Sequence, residues 1–532
     1  MTLVEFGTDD SLVLLALLAT GAVLLAVSQL VRVPYPILLV VGGLAVAFVP
    51  GMPTIELPPD LVLIAFLPPL LYGAAFFTPL RELRANLVPI SFLAVGLVLA
   101  TTIAVAVAAH AVMPGVGWPT AFVLGAIVSP TDPTAATAIA QRLGLPRRVI
   151  AVIEGESLVN DGTALVVYRV AVAAVVTGSF SLVAASGRFV LNVAGGIAVG
   201  LAAGFVIRQV RRRLDNPPVE ITISILSGYF AYLPAHALGV SGVLAAVTVG
   251  IYMGWHTPEL TNSQTRLQGQ AVWEIIFLIL NALLFALVGL QLPSIVDALS
   301  ERSAGQLLGY AALVSAVVVL VRFVWVFVYA YLSRFLRLGG GGPQMVPWKG
   351  ALIVSWAGMR GAVSLAAALA LPLTTDAGGP FPDRELIVFL TFSVILATLL
   401  GQGLTLPALI RWLDVEDDGR AAKEEAKARI RAAEAALVRL DELMDEDWVH
   451  PETVERLRGL YGFRRDRFRS RFDPDSDGAI EDRSVNFQRL RRELLDAERQ
   501  AVRRLRRDGS IDDDVMRQVE RDLDLEDARL EI

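Results

Sequence analysis

The stretch Glu154-Gly155-Glu156-Ser157-Leu158-Val159-Asn160-Asp161-Gly162 lies inside a segment that is otherwise apolar from Val149 to Val176. That segment is long enough to cross a bilayer, which takes about 20 helical residues. Ser157 and Asp161 are four residues apart and share one helix face, as do Glu156 and Asn160 on the adjacent stripe. Charged groups at bilayer depth are costly and usually face a bundle interior or a water-filled path. The stretch therefore predicts a membrane helix that carries an ion site.

The composition of the whole chain agrees with a membrane protein. The chain has 532 residues, is 55% hydrophobic and contains no cysteine, and its mean hydropathy is +0.59. Such a hydropathy is typical of an all-α polytopic membrane protein and too high for a soluble domain. The lack of cysteine excludes disulfides and thiolate metal sites, and the 4 histidines are scattered without a ligand pattern. No cofactor is expected.

Windows of about 20 mostly apolar residues give about thirteen candidate spans. The first is interpreted as a retained span, because a cleaved signal peptide would have a basic flank and a shorter apolar run. The candidates are 11–31, 35–50, 60–78, 87–113, 119–140, 149–176, 185–208, 219–236, 239–256, 271–292, 306–334, 347–372 and 386–411.

The loops between these spans differ in their content of lysine and arginine, which favours the cytoplasmic side. One set of loops is poor in basic residues and holds acids such as Glu56 and Asp60. The other set holds Arg32, Arg81, Arg84, Arg142, Arg147, Arg148, Arg208, Arg211, Arg212, Arg213, Arg266, Arg334, Arg337 and Lys349. This asymmetry predicts a multi-pass protein of the cell membrane with its N-terminus outside and its C-terminus in the cytoplasm.

The composition changes after Trp412, so residues 1–412 are predicted as the membrane domain and residues 413–532 as a charged, helical cytoplasmic tail with a regulatory role to test. Ala422 to Met444 and Phe487 to Leu505 have the periodicity of amphipathic, solvent-facing helices. Asp473, Asp475 and Asp477 match the start of a calcium-binding EF-hand loop, but Ser484 stands where a bidentate glutamate is required. Calcium binding is therefore a weak hypothesis, and the alternative interpretation is an acidic turn between helices.

Two further spans contain helix-breaking residues near their centres. The fifth contains Val128-Ser129-Pro130-Thr131-Asp132-Pro133-Thr134, and the twelfth contains Trp356-Ala357-Gly358-Met359-Arg360-Gly361-Ala362. Non-helical backbone at membrane depth persists only where it lines a cavity or is buried in protein. Interrupted helices at corresponding places in two halves indicate a secondary-transporter site. The span count puts the two in three-span groups of opposite orientation, which predicts an inverted repeat of crossing helices.

These three motifs, together with Gln402-Gly403-Leu404-Thr405-Leu406-Pro407 in the last span, resemble the monovalent cation:proton antiporter family. The Asn160-Asp161 pair is similar to its electroneutral sodium/proton exchangers, and the resemblance covers about residues 10–412. It implies a homodimer that exchanges Na⁺, or alternatively K⁺ or Li⁺, for H⁺. Membrane lipids are further expected partners, whereas nucleic acid and enzymatic activity are not expected.

The resemblance also implies roles for individual residues. Asp161 would bind either the cation or a proton, and Ser157 and Thr131 would complete the oxygen shell around the cation. Asp132 would offset helix dipoles or help the site, although a cap for the second half-helix is an equal alternative. Asn160 would neighbour Asp161 without charge. Glu156 would form a structural ion pair with Arg360.

One position departs from the family pattern. Relatives often carry an acid in the third span after Leu67-Pro68-Pro69-Leu70-Leu71-Tyr72, where this chain has Gly73. Any role of that acid in orienting Asn160 or in adding a proton site is therefore in doubt here. The alternatives to an antiporter are an ion channel or an ion-sensing membrane protein. A channel would need polar faces along its whole length, whereas polarity here is concentrated at one depth.

Overall fold

The computed structural model describes residues 34–47, 62–179, 182–291, 302–336, 348–415, 419–470 and 479–530, with scattered positions in 21–30 and 293–299. The described chain is built of helices, with one isolated bridge between Thr374 and Pro380. It divides into two compact units, Met1–Glu416 and Asp417–Ile532. The predicted all-α class is confirmed. The first predicted span lies largely outside the described residues.

The helices of the first unit follow the apolar segments of the sequence closely. They are α1 (Tyr35–Ala47), α2 (Leu67–Phe77), α3 (Leu80–Ala85), α4 (Leu87–Ser91), α5 (Val98–Val112), α6 (Trp118–Val128), α7 (Thr134–Arg142), α8 (Arg147–Thr177), α9 (Leu182–Arg211), α10 (Pro217–Ala237), α11 (Gly242–Leu260), α12 (Ser263–Leu290), α13 (Ala304–Leu336), α14 (Trp348–Trp356), α15 (Ala362–Leu369), α16 (Arg384–Leu396) and α17 (Gly403–Leu413). Short π-helical turns at Val62–Phe66, Phe92–Leu97 and Ala397–Gln402 continue into α2, α5 and α17.

Six of the described helical segments are long and apolar enough to cross a membrane on their own. They are Leu87–Val112, Arg147–Thr177, Ser186–Arg211, Ser263–Leu290, Ala304–Leu332 and Arg384–Leu413. Each of the two spans predicted to be interrupted consists of a pair of short helices, α6 with α7 and α14 with α15. Their interruption is confirmed, whereas the count of thirteen spans and the inverted repeat stay predictions.

Local chemistry explains where several helices begin and end. Pro130 and Pro133 each lack a backbone donor, so the helix ladder cannot run from α6 into α7. The Asn262 side chain accepts a hydrogen bond from the Thr265 backbone N–H at 2.8 Å and caps the start of α12. Gly178 ends α8 with a left-handed φ of 66°. Because caps of this kind set where a helix begins or ends, the helix bounds differ by several residues from the bounds of the apolar segments.

The helices of the first unit pack as two bundles. One bundle contains α1, α2 and α9 to α12, and the other contains α4 to α8 and α13 to α17. Glycines in the first bundle lie against the backbone of a neighbouring helix. A Cβ added to Gly196 would lie 2.6 Å from the carbonyl oxygen of Ser241, which caps α11, and one added to Gly200 would lie 2.6 Å from that of Ala245. Gly204 of the same helix faces the Tyr252 ring, so Gly196, Gly200 and Gly204 together allow α9 to pack closely on α11.

Four helices lie in the described residues of the second unit. They are α18 (Arg420–Glu442), α19 (Pro451–Ser470), α20 (Ala479–Arg507) and α21 (Asp513–Leu530). The helix α18 covers the predicted segment Ala422 to Met444 except for its last two residues, and α20 includes the predicted segment Phe487 to Leu505. The helices α20 and α21 are linked by ion pairs, such as that of Arg499 with Asp524 at 2.8 Å and with Asp527 at 3.0 Å.

Candidate functional site

The two interrupted spans cross at their unwound segments. The backbone N–H of Asp132 donates a hydrogen bond to the carbonyl oxygen of Met359 at 2.8 Å. A Cβ added to Gly361 would overlap the carboxylate of Asp132, so only glycine lets the two segments approach so closely. The crossing is thus a direct backbone contact between the segment after α6 and the segment after α14.

Two arginines bind the carbonyl ends of the half-helices at this crossing. Arg360 Nε donates to the carbonyl oxygen of Val128, the last residue of α6, at 3.2 Å. Arg322 Nε and Nη2 donate to the carbonyl oxygen of Val354, in the last turn of α14, at 3.1 and 2.9 Å. Helix C-termini carry a partial negative charge and unpaired carbonyls, so each arginine stabilises one buried end.

Asp132 occupies the opposite position, at the amino ends of the half-helices. Its Oδ1 accepts a hydrogen bond from the backbone N–H of Thr134, the first residue of α7, at 2.8 Å. Its second oxygen lies against Gly361, the residue that immediately precedes α15. A carboxylate there complements the partial positive charge of helix N-termini. The geometry therefore agrees with both readings of Asp132, as a cap and as a group that offsets helix dipoles.

Polar residues of α8 meet Thr131 of the crossing. Ser157 Oγ donates to the Thr131 carbonyl oxygen at 2.9 Å. Asn160 Nδ2 donates to Thr131 Oγ1 at 2.8 Å, and Thr131 Oγ1 donates to Glu156 Oε1 at 3.3 Å. All four residues are buried. The structure thus brings Ser157, Asn160 and Glu156 of α8 together at Thr131. The cation shell of Asp161, Ser157 and Thr131 stays a prediction.

Glu156 has a different ionic partner from the one predicted. Arg322 donates to its two carboxylate oxygens at 2.5 and 2.9 Å, whereas Arg360 donates to the carbonyl oxygens of Val128 and Gly358. The prediction that Arg360 is the ionic partner of Glu156 is therefore wrong, and the partner is Arg322. The physical reason is that Arg360 reaches the end of α6 from its own unwound segment, while Arg322 enters from α13 and reaches Glu156.

Arg322 is thus a residue of the crossing to which the sequence analysis assigned no role. It is fully buried near the middle of an apolar helix, at 0% exposure. The signal that could have found it is the one that identified α8, namely an ionisable residue at membrane depth. A Cβ added to Gly358 would overlap the Arg322 side chain, so the glycine also makes room for this arginine.

Asp161 is distinct from the other acids at the site. It is 7% exposed, and among the described residues no group donates a hydrogen bond to its carboxylate. It lines a cavity of about 910 Å³ together with Thr131, Asp132 and Ser157. Its oxygens are therefore available to an ion that enters from the cavity.

The cavity lies between the two helix bundles and opens at one side of the protein. Its walls come from α2 and α12 of one bundle and from α7, α8 and α15 of the other. The exposed residues Arg81, Gln141 and Arg147 also line it. Water and small cations can therefore reach Asp161 from the side of the loops that are rich in arginine.

The position where relatives often have an acid is closed by aromatic residues. Gly73 lines the cavity, but a Cβ there would overlap Phe277 and lie 2.8 Å from the ring of Trp273. The Oδ1 atom of Asn160 has no hydrogen-bond partner among the described residues. A side chain at position 73 would fit only if these rings moved. Among the described residues, no other group takes the place of such an acid beside Asn160 Oδ1.

The predicted calcium ligands Asp473, Asp475 and Asp477 lie outside the described residues. Within the described part of the chain, no cluster of three or more metal-binding side chains is present. A hard monovalent cation in the cavity would instead meet a carboxylate, hydroxyls and a backbone carbonyl, which are the oxygen ligands that such ions prefer.

The chain is similar in sequence to known ion exchangers. A family profile described as "Sodium/hydrogen exchanger, transmembrane" matches residues 13–412. An uncharacterized Na⁺/H⁺ exchanger of Mycobacterium tuberculosis is 38% identical over 530 residues, 99% of this chain and 96% of that protein. A sodium, potassium, lithium and rubidium/H⁺ antiporter of Bacillus pumilus is 34% identical over 447 residues, 82% of this chain and 66% of that protein.

The fold also matches a solved structure. The sodium proton antiporter MjNhaP1 of Methanocaldococcus jannaschii aligns with a TM-score of 0.61 and 19% sequence identity, covering 75% of this chain and 96% of that one. An ion channel is not favoured by these similarities, and the relatives are transporters rather than enzymes. The chain is a multi-pass membrane protein that belongs to the sodium/hydrogen exchanger family.

Proposed function

We propose that this protein exchanges one monovalent cation, Na⁺ in the first place, for one proton, and that the two ions compete for Asp161. The observation that carries the proposal is the buried Asp161 carboxylate, which accepts no hydrogen bond from the described residues and lines the large cavity. A protonated carboxylate has no charge to attract a cation. Binding of one ion therefore excludes the other.

The charges around Asp161 support an electroneutral exchange. Glu156 is neutralised by Arg322 at 2.5 Å, Asn160 is uncharged, and Asp132 lies at the amino ends of α7 and α15. Asp161 is then the one acidic residue of this cluster left free to take up an ion. Carriage of one cation one way and one proton the other moves no net charge, so the membrane potential does no work on the cycle.

Exchange also requires that Asp161 face the two sides of the membrane in turn. The cavity opens beside Arg81 and Arg147, in loops predicted to be cytoplasmic by the distribution of basic residues. This supports an inward-facing state, with the N-terminus outside and the C-terminus in the cytoplasm. Obligatory exchange follows if the carrier turns over only when Asp161 holds a cation or a proton.

The choice of cation is also part of the proposal. Ser157 lies one helical turn before Asp161 on α8, and its Oγ is 2.9 Å from the Thr131 carbonyl oxygen. Both atoms are hard oxygen ligands. The Bacillus pumilus relative is named as an antiporter of sodium, potassium, lithium and rubidium. Na⁺, K⁺ and Li⁺ are therefore all to be compared.

The decisive experiment uses the purified full chain in liposomes that contain a pH-sensitive dye. After a proton gradient is imposed, addition of Na⁺, K⁺ or Li⁺ should collapse it, with the same rate at any clamped membrane potential. Asp161→Asn should abolish the response. Asp376→Asn, which changes an exposed aspartate outside the cavity, should retain it.

Competition between the cation and the proton gives a second prediction that the same assay can test. The apparent KM for Na⁺ should rise as the proton concentration on the same side rises, because protonated Asp161 cannot bind the cation. Cation-dependent exchange that survives in Asp161→Asn would disprove the role of this carboxylate. A rate that follows the clamped potential would disprove electroneutrality.

A further inference from the structure

A second cavity lies among the ends of five helices, away from Asp161. It has a volume of about 210 Å³ and is lined by the ends of α2, α9 and α11 and by the starts of α10 and α12. Arg211, Arg212 and Arg213 lie at the end of α9, and Arg266 lies in the first turn of α12, on the side predicted to be cytoplasmic. Because helix ends meet there, we expect the cavity to lie near the membrane surface.

The wall of this cavity contains a buried arginine with unused donors. Arg211 is 3% exposed, and its Nη2 donates to Glu220 Oε2 at 3.3 Å. Its Nε and Nη1 atoms have no acceptor among the described residues. A buried guanidinium that leaves donors unpaired is costly, so an acceptor in the cavity would be favourable.

A second donor lines the same cavity. The Thr265 hydroxyl belongs to a residue that is 4% exposed, and it too has no partner among the residues that the structure describes. Thr265 lies in the first turn of α12, which runs from Ser263 to Leu290. The amino end of a helix carries a partial positive charge, and this charge adds to that of Arg211.

The charges of the cavity favour an anion. Its charged lining residues are Arg211, Arg266 and Glu220, so two positive charges face one negative charge. Glu220 is 1% exposed and bonded to Arg211, and it would repel an anion that approached its carboxylate directly. Arg211 and Thr265 both line the cavity and both carry unpaired donors, so an anion in the cavity would bind beside these two residues.

We propose that this cavity binds a phosphate oxyanion, either the headgroup of an anionic phospholipid or free phosphate. Guanidinium groups bind phosphate oxygens with strong, charge-assisted hydrogen bonds. Phe77 and Trp273 supply apolar wall, against which the glycerol part of a lipid can pack. Basic pockets between membrane helices on the cytoplasmic side are suited to anionic headgroups. The inference does not depend on the transport cycle proposed above.

The test measures thermal unfolding of the delipidated full chain in a neutral detergent. Phosphatidylglycerol is compared with diacylglycerol, which has the same tails without phosphate, and sodium phosphate is compared with sodium chloride at equal ionic strength. A ligand that binds the folded state raises the melting temperature in a concentration-dependent way. We expect phosphatidylglycerol or phosphate to do so, and diacylglycerol and chloride not to.

Variants decide whether the effect arises in this cavity. Thr265→Val removes the hydroxyl at nearly constant volume, and Arg211→Lys keeps the charge while it removes Nε and Nη1. Each should weaken the apparent affinity by about tenfold, the effect of one lost charge-assisted hydrogen bond. Arg213→Lys changes an exposed arginine two residues away and should leave the affinity unchanged.

The outcomes separate the two sources of the phosphate group. Stabilisation by phosphatidylglycerol alone supports a lipid headgroup, and equal stabilisation by sodium phosphate supports a free anion. The proposal is overturned if neither ligand raises the melting temperature, or if the increase is the same in Thr265→Val and Arg211→Lys as in the unaltered chain.

Discussion

Replacement of Arg322 by methionine tests the electrostatic core of the crossing most directly. The change removes two hydrogen bonds to Glu156, at 2.5 and 2.9 Å, and two to the Val354 carbonyl oxygen, at 3.1 and 2.9 Å. It leaves Glu156 charged at 1% exposure. Removal of one partner of a buried ion pair costs about 3–5 kcal/mol, because the remaining charge stays desolvated. We therefore expect Arg322→Met to lower the free energy of unfolding by that amount.

A double-mutant cycle identifies the partner of Glu156. Glu156→Gln in the Arg322→Met background removes the unpaired charge and keeps an acceptor for Thr131 Oγ1, so part of the lost stability should return. The coupling energy should be about 2–3 kcal/mol, at the upper end for residues in contact. Arg360 donates to backbone carbonyls instead, and the cycle of Glu156→Gln with Arg360→Met should give about 1 kcal/mol or less.

The measurement is reversible unfolding of the full chain in mixed micelles, followed by circular dichroism as the fraction of denaturing detergent rises. All single and double variants are compared in the same micelles. A coupling energy for Arg360 that equals or exceeds that for Arg322 would refute the assignment of the ion pair.

Three further changes test the packing and the hydrogen bonds of the site. Gly361→Ala puts a Cβ onto the carboxylate of Asp132 and should abolish exchange in liposomes, whereas Gly401→Ala adds a Cβ in open space and should leave exchange intact; equal rates in the two variants would contradict the close crossing. Gly73→Ala presses on aromatic rings and should cost about 1–3 kcal/mol of stability in the same micelles, so an unchanged unfolding curve would show that the rings yield freely. Thr131→Val removes the hydroxyl that joins α8 to the crossing and should raise the KM for Na⁺ by about tenfold; an unchanged KM would exclude this hydroxyl from the cation shell.

Much of the fold could be predicted from the sequence because its signals are local. The breaks at Pro130 to Pro133 and at Gly358 to Gly361 follow from residues that cannot continue a helix, and both are present. The start of α12 at Ser263 was predicted eight residues too late, at 271. Its first turns are polar and carry no hydropathy signal, and the helix start is set by the Asn262 cap instead.

The partner of Glu156 could not be predicted because it depends on tertiary packing. Arg322 and Glu156 are 166 residues apart in the chain, and helix periodicity does not say which of two buried arginines reaches a given carboxylate. The same holds for the rings that close the space over Gly73. The helices α19 and α21 lie in the tail that the sequence predicts to be helical, but their bounds are not predicted, because these segments contain few apolar residues to mark them.

The glycine contacts between α9 and α11 bear on how the protein responds to cold. Lipid tails are as apolar as side chains, so helices in a bilayer associate through van der Waals packing of close backbones rather than through the hydrophobic effect. Hydrophobic stabilisation in water weakens on cooling, and this affects the apolar contacts of α18 to α21. Contacts of the kind that Gly196 and Gly200 make do not depend on water in this way. Cooling should therefore loosen the second unit of the chain before the helix bundle that these glycines hold together.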